Sequence, residues 1–160
     1  TQEEWSKRQK EYEEEKKRIS NIEASSIDVF RIGEMQPERD HQLKASERSY
    51  VDEAIGRMGR EARSGNYFSF TMNCDPTVKN TLLLTYIGDD KDRKFDVFVD
   101  GAKLTTVEWN GGKTGKFYDQ LYDIPGELIG NKKSILIRIE ANYGKTAGRI
   151  FGAIILKGKI

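Results

Sequence analysis

Hydrophobic and polar residues alternate along most of the chain from Ser26 onward. Between Phe95 and Leu104, an alternating run leads into Asp100-Gly101, and a second run follows directly. An Asp-Gly pair is favoured in a two-residue type I′ turn, because both central positions of that turn need a positive φ. The segment therefore predicts a β-hairpin.

The same alternation predicts a series of short strands separated by turns. Cys74 falls on the apolar face of its segment, and every second residue from Ile135 to Ile139 is isoleucine, so these positions are predicted to be core. Residues 33–41 around Pro37 and residues 45–63 show no clean period and are predicted to be loop or mostly irregular. The strands are predicted at residues 26–32, 67–74, 81–87, 94–99, 103–108, 116–122, 134–141 and 149–157.

About eight short strands joined by turns leave two economical architectures, a sandwich or a closed barrel. We predict a mainly β fold, specifically an antiparallel jelly-roll or galactose-binding-like β-sandwich with an N-terminal helix. Residues 124–128, which contain Pro125, are predicted to cross between strands as a loop, because proline cannot donate to a ladder. The domain prediction is a charged linker helix at residues 1–24 and a β-sandwich domain at residues 25–160.

The N-terminal segment has a helical pattern of a different kind. Twelve of the first eighteen residues are charged, and Thr1 with Glu4 fits a capping box. Trp5, Tyr12 and Ile19 recur every seven residues, which gives an apolar stripe too thin to form a core. Two interpretations stay open: a solvated linker helix, or a helix that docks on a neighbouring domain.

Composition excludes several classes of function. The 160 residues contain 27 lysines and arginines against 26 aspartates and glutamates, a formal net charge of +1, so no strong field favours nucleic acid or an anionic membrane as partner. No apolar run approaches the roughly 20 residues that span a bilayer. One cysteine and one histidine are too few soft ligands for a zinc site. The chain begins at Thr1 without a signal peptide, and we expect it to be a fragment of a longer protein.

Five short motifs, in this order along the chain, resemble the C-terminal β-sandwich of bacterial glycoside hydrolases related to β-L-arabinofuranosidases. They lie at residues 33–41, 95–101, 117–119, 124–128 and 147–152. In that family an upstream (α/α) barrel performs hydrolysis with a cysteine and glutamates around a zinc ion, and none of those residues has a counterpart here. The resemblance implies a non-catalytic accessory domain of an exported, periplasmic or extracellular hydrolase, with the catalytic domain of the same polypeptide as its partner.

A glycan is the second candidate partner. Sugars stack on aromatic rings and bond to planar polar groups, so aromatic residues beside Asn or Asp in predicted loops are the signal to seek. The alternative for each ring is packing in the core or on a sheet face. The alternative function is therefore a carbohydrate-binding module that recognises plant-type glycans, with the candidate residues Trp109, Asn110, Tyr118, Asp119, Asn142 and Tyr143.

Acidic and histidine residues suggest little further chemistry. Asp89, Asp90 and Asp92 follow Gly88 and are candidate ligands for a structural calcium ion, with a solvated turn as the alternative. Asp40 and His41 are adjacent, but neighbouring side chains of an extended segment point apart, so we interpret His41 as a structural residue hydrogen-bonded in a loop. No catalytic residue and no other cofactor is predicted, and the independent-enzyme hypothesis would require a pocket of converging acids.

Overall fold

Two β-sheets pack face to face in a computed structural model that describes residues 1–158; Lys159 and Ile160, the end of the predicted domain, lie outside the described range. Strands account for 49% and helices for 22% of the chain, so the predicted mainly β sandwich with an N-terminal helix is confirmed. The division into a linker helix and a separate domain at residue 25 stays a prediction.

The smaller sheet has four antiparallel strands, and residues from distant parts of the chain are neighbours in it. Its two edges are formed by the first and the ninth strands. The order across the sheet is β1 (Ser26–Arg31), β12 (Gly152–Lys157), β6 (Asn80–Ile87) and β9 (Phe117–Ile124).

The larger sheet has eight strands, and all its pairs are antiparallel except a short parallel contact between the seventh and the eleventh strands. The order is β2 (Lys44–Ala45), β5 (Tyr67–Asn73), β10 (Ser134–Ala141), β7 (Arg93–Val99), β11 (Thr146–Ile150), β4 (Arg57–Arg63) and β3 (Ser49–Ala54), with β8 (Ala102–Trp109) paired to β7. The predicted Asp-Gly hairpin is confirmed: β7 pairs with β8, and Asp100 and Gly101 have φ of 48° and 85°.

Three helices accompany the sheets: α1 (Gln2–Ser25), α2 (Met35–Asp40) and α3 (Gly126–Ile129). The capping box of Thr1 and Glu4 is present at the start of α1, as predicted. No helix within residues 1–158 combines the length and the apolarity needed to cross a membrane.

Four sequence predictions of local structure are wrong. Residues 45–63 contain the hairpin of β3 and β4, where four successive residues of β4 are buried, including Arg60 and Glu61, so that polarity does not alternate. Residues 33–41 contain α2, where Pro37 is tolerated because it lies in the first turn. The connection at 124–128 does lead from the smaller to the larger sheet, as predicted, but it is not all loop because it includes most of the short α3. The predicted strand at 149–157 is two strands, because the chain passes from the larger to the smaller sheet at Phe151.

The core lies between the two sheets. Cys74 is 6% exposed, and the isoleucines at 135, 137 and 139 are at most 1% exposed, so these predicted core positions are confirmed. Burial of each large aliphatic or aromatic side chain contributes about 1.5–3 kcal/mol. The largest buried side chains include Phe30, Phe68, Phe70, Tyr86, Phe95 and Phe151.

An apolar row crosses the outer face of the smaller sheet. Val29, Ile154, Leu83 and Leu121 are successive partners across all four strands. We call these four residues the outer row. The C-terminal part of α1 lies beside them, leaving a groove of about 300 Å³ lined in part by Ile19, Ile22, Val29 and Ile154.

Candidate functional site

Four chain segments meet at one end of the sandwich, which we call the loop edge. It comprises residues 52–56, 88–92, 110–116 and 142–149. The segment 88–92, between β6 and β7, forms hydrogen bonds or ion pairs with residues 110–116 and 142–149. It is connected to residues 52–56 through Arg149. Its first residue, Gly88, allows the 110–116 loop to approach, since a Cβ atom there would lie 2.0 Å from the Lys113 carbonyl oxygen.

Asp90 and Arg149 form the central link of the loop edge. The Asp90 side chain is only 5% exposed and the Arg149 side chain 15%. Arg149 donates to the carboxylate from its backbone N (2.9 Å), from Nε (3.1 Å to Oδ2) and from Nη2 (3.0 Å to Oδ1). These hydrogen bonds are the main reason that the pKa of Arg149 is raised above its ordinary value.

The same arginine extends the network to the β3–β4 hairpin. Its Nη1 donates to the Glu53 carbonyl oxygen at 3.2 Å and lies 3.5 Å from Asp52 Oδ2. Arg93 approaches from the other side, with Nη1 donating to the Gly148 carbonyl oxygen at 3.3 Å. The largely desolvated Asp90 carboxylate, together with Arg149, thus fixes residues 52–56, 88–92 and 142–149 relative to one another.

The other two aspartates of this loop contact different segments. Asp89 Oδ1 accepts from the backbone N of Gly115 at 2.7 Å, and Asp92 Oδ1 pairs with Lys145 Nζ at 2.6 Å. The structure therefore does not bring Asp89, Asp90 and Asp92 together as one ligand set. Among residues 1–158 no group of three His, Cys, Asp or Glu side chains is placed to hold a metal ion. The calcium hypothesis stays a prediction.

The two predicted aromatic residues Trp109 and Tyr118 meet beneath the loop edge. Their ring centroids are 5.4 Å apart, and Trp109 also contacts Tyr86. Trp109 Nε1 donates to the Ile87 carbonyl oxygen at 2.9 Å, and the Tyr118 hydroxyl accepts from the Lys113 backbone N at 2.8 Å. Both rings are half-buried, so they support the loops from below.

Asn110 and Asp119, the predicted neighbours of these rings, lie in different places. Asn110 is exposed in the loop that follows β8. Asp119 faces α1, where its carboxylate accepts from Thr85 Oγ1 at 2.8 Å and pairs with Arg18 Nη1 at 2.9 Å. Tyr118 and Asp119 diverge because successive residues of a strand point to opposite faces.

Asn142 and Tyr143 provide the exposed aromatic group of the loop edge. Tyr143 is 90% exposed, and its ring lies over Gly65, whose added Cβ atom would be 3.4 Å away. The loop that carries it is held by the Gly144 backbone N, which donates to Ser64 Oγ at 2.9 Å, and by the Ser64 backbone N, which donates to the Lys145 carbonyl oxygen at 2.8 Å. Asn142 and Tyr143 thus combine a solvent-facing ring with an adjacent planar amide on a fixed loop.

Three residues of this network, Arg149, Arg93 and Asp52, are not among those that the sequence predicts for a site. Fifty-nine positions separate Asp90 from Arg149 along the chain, and no local pattern signals their contact. The sequence offers one signal of this contact: Arg149 is the one charged residue in the run Ala147-Gly148-Arg149-Ile150-Phe151, which is otherwise small or apolar.

The fold and part of the sequence match known proteins. The profile of a family of unknown function, DUF6805, matches residues 21–156. A 58-residue segment is 43% identical to a protein of Invertebrate iridescent virus 6 that bears the provisional name DNA ligase 205R; it covers 36% of this chain and 9% of the viral protein. That short match carries no activity to this chain.

Solved structures with the same fold include carbohydrate-binding modules. A family 35 carbohydrate-binding module from Clostridium thermocellum has a TM-score of 0.58 at 10% identity, over 81% of this chain and 97% of that one. An exo-β-1,3-galactanase from Phanerochaete chrysosporium has a TM-score of 0.56 at 14% identity, over 82% of this chain and 29% of that one. A Podospora anserina β-(1,4)-mannanase with a family 35 module has a TM-score of 0.52 at 15% identity, over 82% of this chain and 28% of that one. At these identities the likeness establishes the fold.

Proposed function

We propose that this chain, which belongs to the DUF6805 family, is a non-catalytic carbohydrate-binding domain whose glycan site is the loop edge. The observation that carries the proposal is the exposed ring of Tyr143 beside Asn142, on a loop held by hydrogen bonds with Ser64 on both sides of the turn. A fixed loop loses little conformational entropy when a ligand binds, so a weak contact becomes usable.

The chemistry of the loop edge suits a hydroxylated ligand. The Tyr143 ring offers an apolar face for the C–H groups of a sugar ring, and the Asn142 amide offers both a donor and an acceptor. Asn110 adds an exposed amide from a neighbouring segment, whereas Asn142 is half-buried. The fold shared with family 35 carbohydrate-binding modules supports the same function.

Calorimetric titration of the chain against arabinogalactan, galactan and arabinan tests this function. We expect binding to at least one of them and a loss of about tenfold or more in affinity for Tyr143→Ala, equivalent to about 1.4 kcal/mol. Tyr12→Ala is the matched control, because Tyr12 is also exposed (65%) but lies on α1. Absence of heat with all three glycans, or equal losses in both variants, would exclude the loop edge as the site.

A second candidate function is docking on another domain of the same polypeptide. The outer row supports it. Val29 and Leu121, on the two edge strands of the sheet, are 50% and 43% exposed, and Trp5 and Tyr12 continue the apolar surface along α1. In keeping with the resemblance to β-L-arabinofuranosidase relatives, we propose that the partner is the catalytic domain of an exported glycoside hydrolase. The helix at residues 1–24 would then link the two domains.

Calorimetry on the intact polypeptide and on this chain distinguishes docking from a solvated face. The double variant Val29→Asp with Leu121→Asp should leave the unfolding temperature of the isolated chain nearly unchanged, because both side chains are already about half exposed. In the intact protein it should separate the transition of this domain from that of its neighbour. A single unchanged transition there would contradict docking through the outer row.

A further inference from the structure

We propose a second ligand site, for a neutral hydroxyl-rich molecule of the size of one sugar residue, in a polar cleft at the opposite edge of the sandwich. The cleft has a volume of about 460 Å³. Its lining residues are Asp28, Asp40, His41, Gln42, Thr71, Asn73 and Ser134. The site goes beyond the proposed function because it shares no residue with the loop edge.

His41 and Asp28 form a rigid floor for the polar cleft. His41 Nδ1 lies 2.8 Å from the Pro37 carbonyl oxygen, and Nε2 lies 2.9 Å from Asp28 Oδ1. Asp28 Oδ2 accepts from the Asn73 backbone N at 2.8 Å. The imidazole ring also stacks on Phe30, with the centroids 4.4 Å apart. Both nitrogens of the histidine are thus occupied, which confirms its interpretation as a structural residue.

Above this floor the cleft presents polar groups that the protein itself does not use. Within residues 1–158, the side chains of Gln42, Thr71, Asn73 and Ser134 make no hydrogen bond to another protein atom. Two are amides and two are hydroxyls, so each side chain can both donate and accept. Ser134 is the strand partner of Asn73, which places two of these groups side by side.

The charge and volume of the cleft define the ligand class. Asp28 and Asp40 disfavour an anion, and Asp40 retains acceptor capacity beyond its bond from Gln36 Nε2 at 2.8 Å. No three side chains of the described residues are placed to hold a metal ion, and both Asp28 oxygens are already engaged, by His41 and by the Asn73 backbone N. The volume lies in the range of small-ligand pockets, about 300–1,000 Å³. A neutral polyol satisfies both the donors and the acceptors.

The polar cleft continues into a shallower pocket beside α2. This pocket, of about 210 Å³, shares Asp40 and His41 with the cleft and adds Val29, Arg31 and Pro37. The apolar surfaces of Val29 and Pro37 can contact the C–H face of a further unit. The cleft also lies far from the loop edge: β5 has 7 residues from Tyr67 to Asn73, a span of about 20 Å.

Two-dimensional ¹H–¹⁵N NMR of the full chain, titrated with methyl β-D-galactopyranoside and separately with L-arabinose, tests the second site. We expect saturable shifts of the Thr71, Asn73 and Ser134 amide signals, with a dissociation constant of about 1 mM or weaker, because the cleft offers hydrogen bonds without an exposed ring. Asn73→Ala should reduce the affinity about fivefold or more. It removes only a side chain without protein bonds and keeps the backbone bond to Asp28.

Two controls separate this proposal from the loop-edge site. Tyr143→Ala should leave the shifts at the cleft intact, and Thr71→Val repeats the test should Asn73→Ala disturb the fold. Shifts confined to the loop edge would overturn the second site and leave the proposed function standing. Shifts at the cleft with calcium chloride but with neither sugar would also overturn it, because the ligand would then be a cation.

Discussion

The loop edge and the outer face of the smaller sheet are held in place by opposite physical means. At the loop edge, segments far apart in sequence are joined by charged and backbone groups around the nearly buried Asp90 carboxylate. On the outer face, α1 contacts the sheet through Ile22 and its neighbours and through one half-exposed pair, Arg18 with Asp119. The first region is fixed and polar, whereas the second is apolar and loosely attached.

This difference suggests a division of roles. Directional hydrogen bonds fix loop positions to a fraction of an ångström, as recognition of a small hydroxylated ligand requires. A row of aliphatic side chains imposes no such geometry and adapts to a protein surface. The domain therefore combines a surface suited to a glycan with a surface suited to a neighbouring domain.

Asp90→Ala is expected to have the largest effect on stability. It leaves the Arg149 guanidinium poorly solvated without its main partner, and breaking such a buried pair costs about 3–5 kcal/mol. Urea unfolding followed by circular dichroism measures the loss. Asp92→Ala is the matched control, because Asp92 is 79% exposed and its pair with Lys145 should contribute less than about 1 kcal/mol. Similar losses in both variants would show that Asp90 is not the central link.

The buried tyrosine pair should make stability fall at high pH. Burial raises the pKa of Tyr86 well above 10.0, and the pKa of Tyr122 is also raised by burial. The unfolded chain therefore loses these protons first, and the stabilisation present below pH 10 is lost as the pH rises above it. The expected slope is up to about 1.4 kcal/mol per pH unit for each tyrosine.

Urea unfolding at several pH values from 9 to about 11.5 measures this slope. The double variant Tyr86→Phe with Tyr122→Phe removes both hydroxyls, which bond to each other at 2.9 Å, and should flatten the profile. An unchanged slope in that variant would show that Tyr86 and Tyr122 do not cause the loss of stability at high pH.

Arg18→Ala is expected to have the smallest effect. The Arg18 side chain is 42% exposed, and its pairs with Glu15 and Asp119 raise its pKa, but solvent screens them. The free energy of unfolding should fall by less than about 1 kcal/mol. Arg8→Ala, on the exposed surface of the same helix, should have no effect. A loss of several kcal/mol for Arg18→Ala would show that α1 is an integral part of the domain.

Local signals in the sequence predicted the local parts of this fold. Asp100-Gly101 specified its hairpin and Thr1 its helix cap, because each motif satisfies backbone groups within four residues. Alternation located the core strands, including the isoleucines of β10. The β3–β4 hairpin escaped because Arg60 and Glu61 are buried there as polar residues, contrary to the usual pattern.

The candidate site was predictable only in part. Tyr143 is exposed in a turn and the half-buried Asn142 precedes it directly, so their adjacency in sequence makes them recognisable as candidates. The aspartates at 89, 90 and 92 were recognised as a group, but their partners lie between 26 and 59 positions away, so the sequence could not tell three separate links from one metal site. Arg18 likewise pairs with Asp119, which is 101 positions away along the chain.

The two tryptophans give each of the compared regions its own optical reporter. Trp109, whose Nε1 donates to Ile87 beneath the loop edge, should fluoresce at short wavelength and resist quenching by acrylamide, whereas Trp5, which is 65% exposed on α1, should emit at long wavelength. In a Trp5→Phe variant, Trp109 would be the single emitter and would report ligand binding at the loop edge, whereas in Trp109→Phe the remaining Trp5 would report a contact of α1 with another domain. Both events can thus be followed by light emission without an attached dye.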